Sequence, residues 1–306
     1  MLEKISESKI SESVEEKVGA PRRIPLPPGA TECFANVPGS RLRYLRAGSG
    51  PPLVLLHGML GYSFSWRFNL VELAKHRTVY AIDQLGAGFS DRPLTLDCSM
   101  RAVAERTLAF VEQEIDGPFD LLGTSHGGAI AVFVAAMLAQ RGKSPLQRLI
   151  LVAPANPWSE HGRVLAPFVA QPPVSAAFRW TVPRVRFAWG FALRRIYGDP
   201  KKIAPGTLEG YAAPFDLPGS LEYGLGILDT WLQDLEEMKA LLPTLVDMPT
   251  CLIWGSADPA VLPESAEPLR QNFRNCEYVT LPGVGHLPYE EAPEDFNRAV
   301  VEFLKK

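Results

Sequence analysis

The sequence predicts an α/β fold with a mostly parallel sheet, interrupted late by a helical insertion. Short apolar runs of strand length alternate with helical stretches up to residue 153, and the same rhythm resumes after residue 242. Between them, residues 154–242 contain clustered prolines, no clear strand and twelve aromatic side chains. A chain of 306 residues, 46% hydrophobic and 21% charged, can bury a core without a disulfide or metal staple.

Taken in order, residues 1–30 read as a tail and spacer. Leu2, Ile5, Ile10, Val14 and Val18 recur at loosely helical spacing among charges, and Pro21, Pro25, Pro27 and Pro28 follow as an extended segment. Residues 33–37 and 42–47 predict a hairpin, and 53–57, Leu-Val-Leu-Leu-His, suit a strand buried on both faces. Helices are expected over 65–75, 99–115 and 126–140, with strands at 78–82, 119–123 and 149–153. Later come strands at 250–254 and 277–281 and helices over 263–272 and 293–304. The expected organisation is a core of residues 31–153 and 243–306 and a helical cap of residues 154–242, with helical patches at 185–197 and 221–241. Ligands in such sheets bind beyond the strands' carboxyl ends, so a cap placed there would roof the pocket.

Composition narrows the function. With 31 Lys and Arg against 34 Asp and Glu, the formal charge of -3 argues against a dedicated nucleic-acid binder. Cys33, Cys98, Cys251 and Cys276 are scattered, with no Cys-x-x-Cys pair, so reduced thiols are expected rather than a zinc site. No apolar run reaches membrane-spanning length, and the first residues lack the apolar stretch of a secretory signal; cytoplasmic residence is expected.

The strongest chemical signal is Gly123-Thr124-Ser125-His126-Gly127-Gly128, set between an apolar strand and a helical run. A serine on such a strand-to-helix turn sits in strained backbone, and Gly123 and Gly127 supply the small neighbours it needs. Its hydroxyl needs a base, and the base needs a carboxylate to fix its tautomer. Of five histidines, His286 in Gly283-Val284-Gly285-His286-Leu287 follows the last strand and so reaches the same sheet edge as Ser125. His76 lies among charges, His161 lies in the insertion, and His126 points away from its neighbour and lends its backbone N–H. Asp258, in Gly255-Ser256-Ala257-Asp258-Pro259 after the strand at 250–254, is the carboxylate; Asp229 and Asp234 are distant substitutes. Acyl transfer also needs oxyanion donors. His57-Gly58-Met59-Leu60-Gly61 follows the strand at 53–57, and the amides of Met59 and His126 are the candidates.

With these motifs in family order, together with the loop from Asp83 to Ser90 and Gly-Val-Gly-His-Leu-Pro-Tyr-Glu-Glu, the chain from residue 31 resembles the α/β-hydrolase superfamily. The likeness is to its cap-bearing branch of esterases, lipases and carbon–carbon bond hydrolases. It implies an eight-stranded, mostly parallel sheet with helices on both faces and the cap inserted after strand 6. It also implies no cofactor, no metal, and a Ser125–His286–Asp258 triad acting through an acyl-enzyme. Serine at the nucleophile position disfavours the aspartate-using haloalkane dehalogenases and epoxide hydrolases. The Asp83 loop is expected to carry no chemistry, with Gly86 and Gly88 shaping a turn at the pocket wall.

The expected activity is hydrolysis of an apolar or aryl carboxylic ester, a small-molecule substrate. Alternatives are a carbon–carbon bond hydrolase of a diketone ring-fission product, a cofactor-free perhydrolase or haloperoxidase, a peptidase, and a hydrolase-fold ligand receptor. Residues 160–202 hold eight basic residues and only Glu160 and Asp199 as acids, interleaved with Trp180, Phe187, Trp189 and Phe191. Such a segment can lie on an anionic membrane, but a solvated face whose arginines pair with acids is the favoured expectation.

Overall fold

The computed structural model describes residues 24–142, 144–181 and 186–306, so most of the expected N-terminal tail and spacer lies outside them. Its strands are β1 (Thr31–Val37), β2 (Ser40–Ala47), β3 (Pro52–Leu56), β4 (Thr78–Ile82), β5 (Phe119–Thr124), β6 (Leu146–Val152), β7 (Thr250–Gly255) and β8 (Cys276–Leu281). They form one sheet in the order β1-β2-β4-β3-β5-β6-β7-β8. β2 runs antiparallel to β1 and β4, and every other neighbouring pair is parallel.

Side-chain alternation explains why the central strands read as continuous apolar runs. Val54 and Leu56 of β3 and Leu149 and Leu151 of β6 enter one core, while Leu53, Leu55, Ile150 and Val152 enter the other. The first core is closed by α1 (Met100–Glu114) and α2 (His126–Gln140), the second by the Leu70–Leu73 turn and a C-terminal helix, Pro293–Leu304. Ser99 caps α1 by accepting the Ala102 N–H, as its place before the helical run suggests.

Between β6 and β7 the described residues contain helices and no strand. These are α3 (Glu160–Ala170), α4 (Pro172–Thr181), α5 (Arg186–Ile196) and α6 (Ser220–Leu241), with short turns such as Thr207–Ala212; the C-terminal helix is then α7. α6 buries Tyr223, Ile227, Trp231 and Leu235, spaced one turn apart, and α3 buries Ala166 and Val169 and packs on α6. Asp234 is buried in α6, where it accepts the Met100 N–H and the Thr230 hydroxyl, so it caps α1.

Two expected helices are shorter than the pattern implied. The stretch 65–75 divides into a 3-10 turn, Ser63–Trp66, and Leu70–Leu73, because the Asn69 amide is drawn out to the Tyr289 carbonyl and to Asn297. The stretch 263–272 divides into a 3-10 turn at Pro263–Ser265 and a helix over Ala266–Arg270.

The strand order fixes where a site can form. β3 lies between β4 and β5, so the chain leaves it toward opposite sides and opens a crevice at the carboxyl ends of β3 and β5. The turn bearing Ser125 and the loop bearing Gly58 both emerge there.

Candidate active site

β5 runs into α2 through Ser125, whose φ of 52° and ψ of -120° place a non-glycine residue in strained backbone. The strain is held from several sides. The Ser125 N–H donates to the Val152 carbonyl of β6, and the Ser125 carbonyl accepts from Gly128, Ala129 and Ala155. A Cβ on Gly123 would strike the Gly127 carbonyl, and one on Gly127 would strike the carbonyls of Leu56 and His57. Both glycines are therefore required by close backbone contact rather than by positive φ.

The other two expected residues meet directly. His286 Nδ1 lies 2.8 Å from Asp258 Oδ2, and both side chains are buried. The second Asp258 oxygen accepts the N–H groups of Ala260 and Val261 at 2.8 and 3.0 Å, which fixes the carboxylate. The carboxylate, held this way, orients the ring so that Nε2 is the nitrogen left to act as base. The three residues follow β5, β7 and β8, strands that end on one edge. Among the described residues the Ser125 hydroxyl makes no hydrogen bond, to His286 or to any other group.

Gly58 backs directly onto the serine, since a Cβ built there would stand 3.2 Å from Ser125 Cβ. The loop it belongs to is held by His57, whose Nδ1 meets the Gly58 carbonyl at 2.8 Å and whose Nε2 accepts the Gln84 N–H at 3.1 Å. Those two contacts define the neutral tautomer, and burial lowers the affinity of the ring for a second proton. Neither the Met59 nor the His126 amide N–H has a partner among the described residues. The His126 ring turns away from the serine and stacks on Trp231 at 6.1 Å. Burial, and after it the nearby His57, pushes His126 down to about 3.

The Asp83 loop is held by its own buried carboxylate. Asp83 is buried and binds Arg43 together with the N–H groups of Ser63 and Phe89. Gly86 and Gly88 take positive φ, 87° and 52°. They border a small, open cleft whose wall includes Leu60, Gly61, Arg92, Phe215 and Tyr223. The cleft thus lies between the β3 and β4 loops and the inserted helices.

Two residues that the sequence reading did not single out tie the insertion to the catalytic edge. Glu291 accepts the Gly285 N–H on one oxygen and those of Gly198 and Asp199 on the other. The His286 N–H itself donates to the Ile196 carbonyl of α5 at 2.8 Å. Beside it, buried Glu290 takes both ends of Arg67 at 2.9 and 2.8 Å and also the hydroxyls of Tyr197 and Tyr211. The adjacent acids in Leu-Pro-Tyr-Glu-Glu were the available signal, because consecutive carboxylates beside apolar residues demand donors. Among the described residues no cluster of three or more His, Cys, Asp or Glu side chains is placed to hold a metal ion.

Residues 53–299 match the sequence profile of the alpha/beta hydrolase family. The chain belongs to the alpha/beta hydrolase family. It is 29% identical over 276 residues, 89% of this chain and 69% of the other, to the dihydrolipoyllysine-residue acetyltransferase component of the acetoin cleaving system of Pseudomonas putida. It is 28% identical over 272 residues to the pimeloyl-[acyl-carrier protein] methyl ester esterase of Nitrosospira multiformis, covering 84% of this chain and 96% of that one. Cfl2 of Burkholderia cenocepacia superposes with a TM-score of 0.80 at 23% identity, over 93% of this chain and 99% of that chain. No helix among the described residues is long and apolar enough to cross a membrane.

Proposed function

We propose that this hydrolase cleaves carboxylic esters of apolar or aryl character through an acyl-enzyme on Ser125, with His286 as base and Asp258 as its orienting acid. The observation that carries the reading is the buried Asp258–His286 pair at the edge where the strained Ser125 turn emerges. Residues 31–153 and 243–306 form the catalytic core in this reading, and residues 154–242 form the cap that selects substrate.

His286 Nε2 accepts the Ser125 proton as Oγ bonds to the ester carbonyl carbon, whose oxygen becomes an oxyanion. The free amides of Met59 and His126 receive that charge, a contribution on the order of 10²–10³ in rate for one such donor. Collapse breaks the carbon–alkoxy bond, and the imidazolium returns its proton to the leaving alcohol. Water, deprotonated by His286, then attacks the acyl carbon; the acid departs and Ser125 recovers its proton. The neutral, buried His126 ring adds no charge beside the nucleophile, and His57 holds the Gly58–Met59 loop in place. An ester is the substrate named for the Nitrosospira relative.

A chain-length panel of nitrophenyl esters, run beside a ring-fission diketone and with Ser125→Ala as control, tests the proposal. Turnover of esters that disappears in a folded Ser125→Ala protein is expected. Ester turnover surviving in that variant, or turnover of the diketone alone, overturns it.

A further inference from the structure

The outward side of the inserted helices carries groups that ester hydrolysis does not use. Large apolar side chains stand in solvent on three successive helices: Val164 (78% exposed) and Phe168 (57%) on α3, Trp180 (64%) on α4 and Phe191 (63%) on α5. Val164 and Phe168 are one turn apart, opposite the Ala166 and Val169 that α3 buries. α3 and α4 pack together, and only four residues separate α4 from α5. Single exposed hydrophobics are ordinary on soluble proteins, whereas several large ones on consecutive helices of one insertion suit an interaction surface.

Charge decides which partner fits. The pairing expected of a solvated basic face is found at Arg163, which binds Glu236. Arg194, Arg195, Lys201 and Lys202 are all exposed, and among the described residues no carboxylate lies within ion-pair distance of them. Of the two acids in this stretch, the Asp199 carboxylate accepts the Lys201 N–H and so is occupied within its own turn. Arg195 lies over the Phe191 ring at 5.7 Å, which places cation and ring side by side. Aromatic rings flanked by uncompensated cations suit an interface in which acyl chains meet phosphates.

We propose that the face formed by α3, α4, α5 and the Pro200–Lys202 turn docks on membranes bearing anionic phospholipid headgroups. Phe168, Trp180 and Phe191 enter the acyl boundary, and Arg194, Arg195, Lys201 and Lys202 lie on the phosphates. The attachment is peripheral and does not depend on the proposed chemistry at Ser125.

Sedimentation of the full chain with phosphatidylcholine vesicles, with and without phosphatidylglycerol, tests the proposal. The protein is expected to pellet with the phosphatidylglycerol vesicles at low salt, to be released as salt rises, and to stay in solution with phosphatidylcholine alone. The pairs Phe168→Ser with Phe191→Ser, and Arg194→Glu with Arg195→Glu, should each weaken binding about tenfold or more. Circular dichroism melts confirm that the variants fold, and Lys201→Glu with Lys202→Glu replaces any pair that does not. Ser125→Ala should bind as the parent does, so failure here is distinct from failure of the esterase reading. Protein left in solution at low salt, or variants that bind like the parent, overturns the proposal. So does a dimer in sedimentation velocity that the phenylalanine pair abolishes in the absence of vesicle binding, which assigns the face to a second copy.

Discussion

At the scale of single residues, the candidate site depends on where backbone crowds backbone. A methyl group at Gly127 meets the Leu56 carbonyl oxygen at 2.6 Å, within two well-packed elements that have no room to part. Gly127→Ala should therefore lose about 2 kcal/mol or more in urea unfolding and most of its ester turnover. Gly142, at φ 94° with open space around its Cβ position, bears only backbone strain, and Gly142→Ala should cost about 1 kcal/mol. Ser125 and its glycines were legible in the sequence because the elbow pattern fixes residue types at adjacent positions. The neutral state of His126 was not, since it comes from burial under Trp231, more than a hundred residues away in sequence. That burial has a pH signature. The unfolded chain takes up a proton near 6.5, whereas in the folded protein His126 does so only at about 3. Between those values the unfolded state binds the extra proton, so stability rises with pH across that window and is lost on acidification. The slope approaches ~1.4 kcal/mol per pH unit for one group, and buried His57 acts in the same direction. Denaturant midpoints measured from pH 7 to 4.5 should show this slope, and His126→Phe should flatten it by one proton's worth.

At the scale of elements, the strands and the long helices α1, α2 and α7 were legible because their periodicity is decided by burial, which the sequence itself displays. The stretch 65–75 was not, because Asn69 answers to Tyr289 and Asn297 rather than to its own helix. The same limitation hid the contact between the insertion and the catalytic edge. Glu291 joins Gly198 and Asp199, near the end of α5, to Gly285 beside His286, and these partners become neighbours only in the folded chain. Burial raises the Glu291 proton affinity, and its backbone N–H donors work against that rise. Glu291→Gln turns an amide NH₂ toward N–H donors, so it should cost about 1–3 kcal/mol of stability. Because the displaced loop carries His286, kcat should fall about tenfold with a smaller change in KM, as measured on the best nitrophenyl ester. A variant that loses stability while keeping kcat would reduce Glu291 to a purely structural tie.

At the scale of the whole molecule, a reversal of strand order at β3 brings the Gly58 loop and the Ser125 turn to one edge, and inserted helices pack beside that edge. The near-neutral charge of -3 conceals this division. The basic stretch within the insertion stands against an acidic remainder, and it also carries the exposed rings. Sequence could identify that basic, aromatic segment but not its orientation, which is set by α3 packing on α6. The proposed nucleophile is the strained serine at the β5–α2 turn. A fluorophosphonate probe followed by peptide mass spectrometry tests this most directly. One covalent adduct is expected, on Ser125, that is lost in Ser125→Ala and strongly slowed in His286→Ala. An unlabelled Ser125 in folded protein, or an adduct carried by another residue, would contradict it.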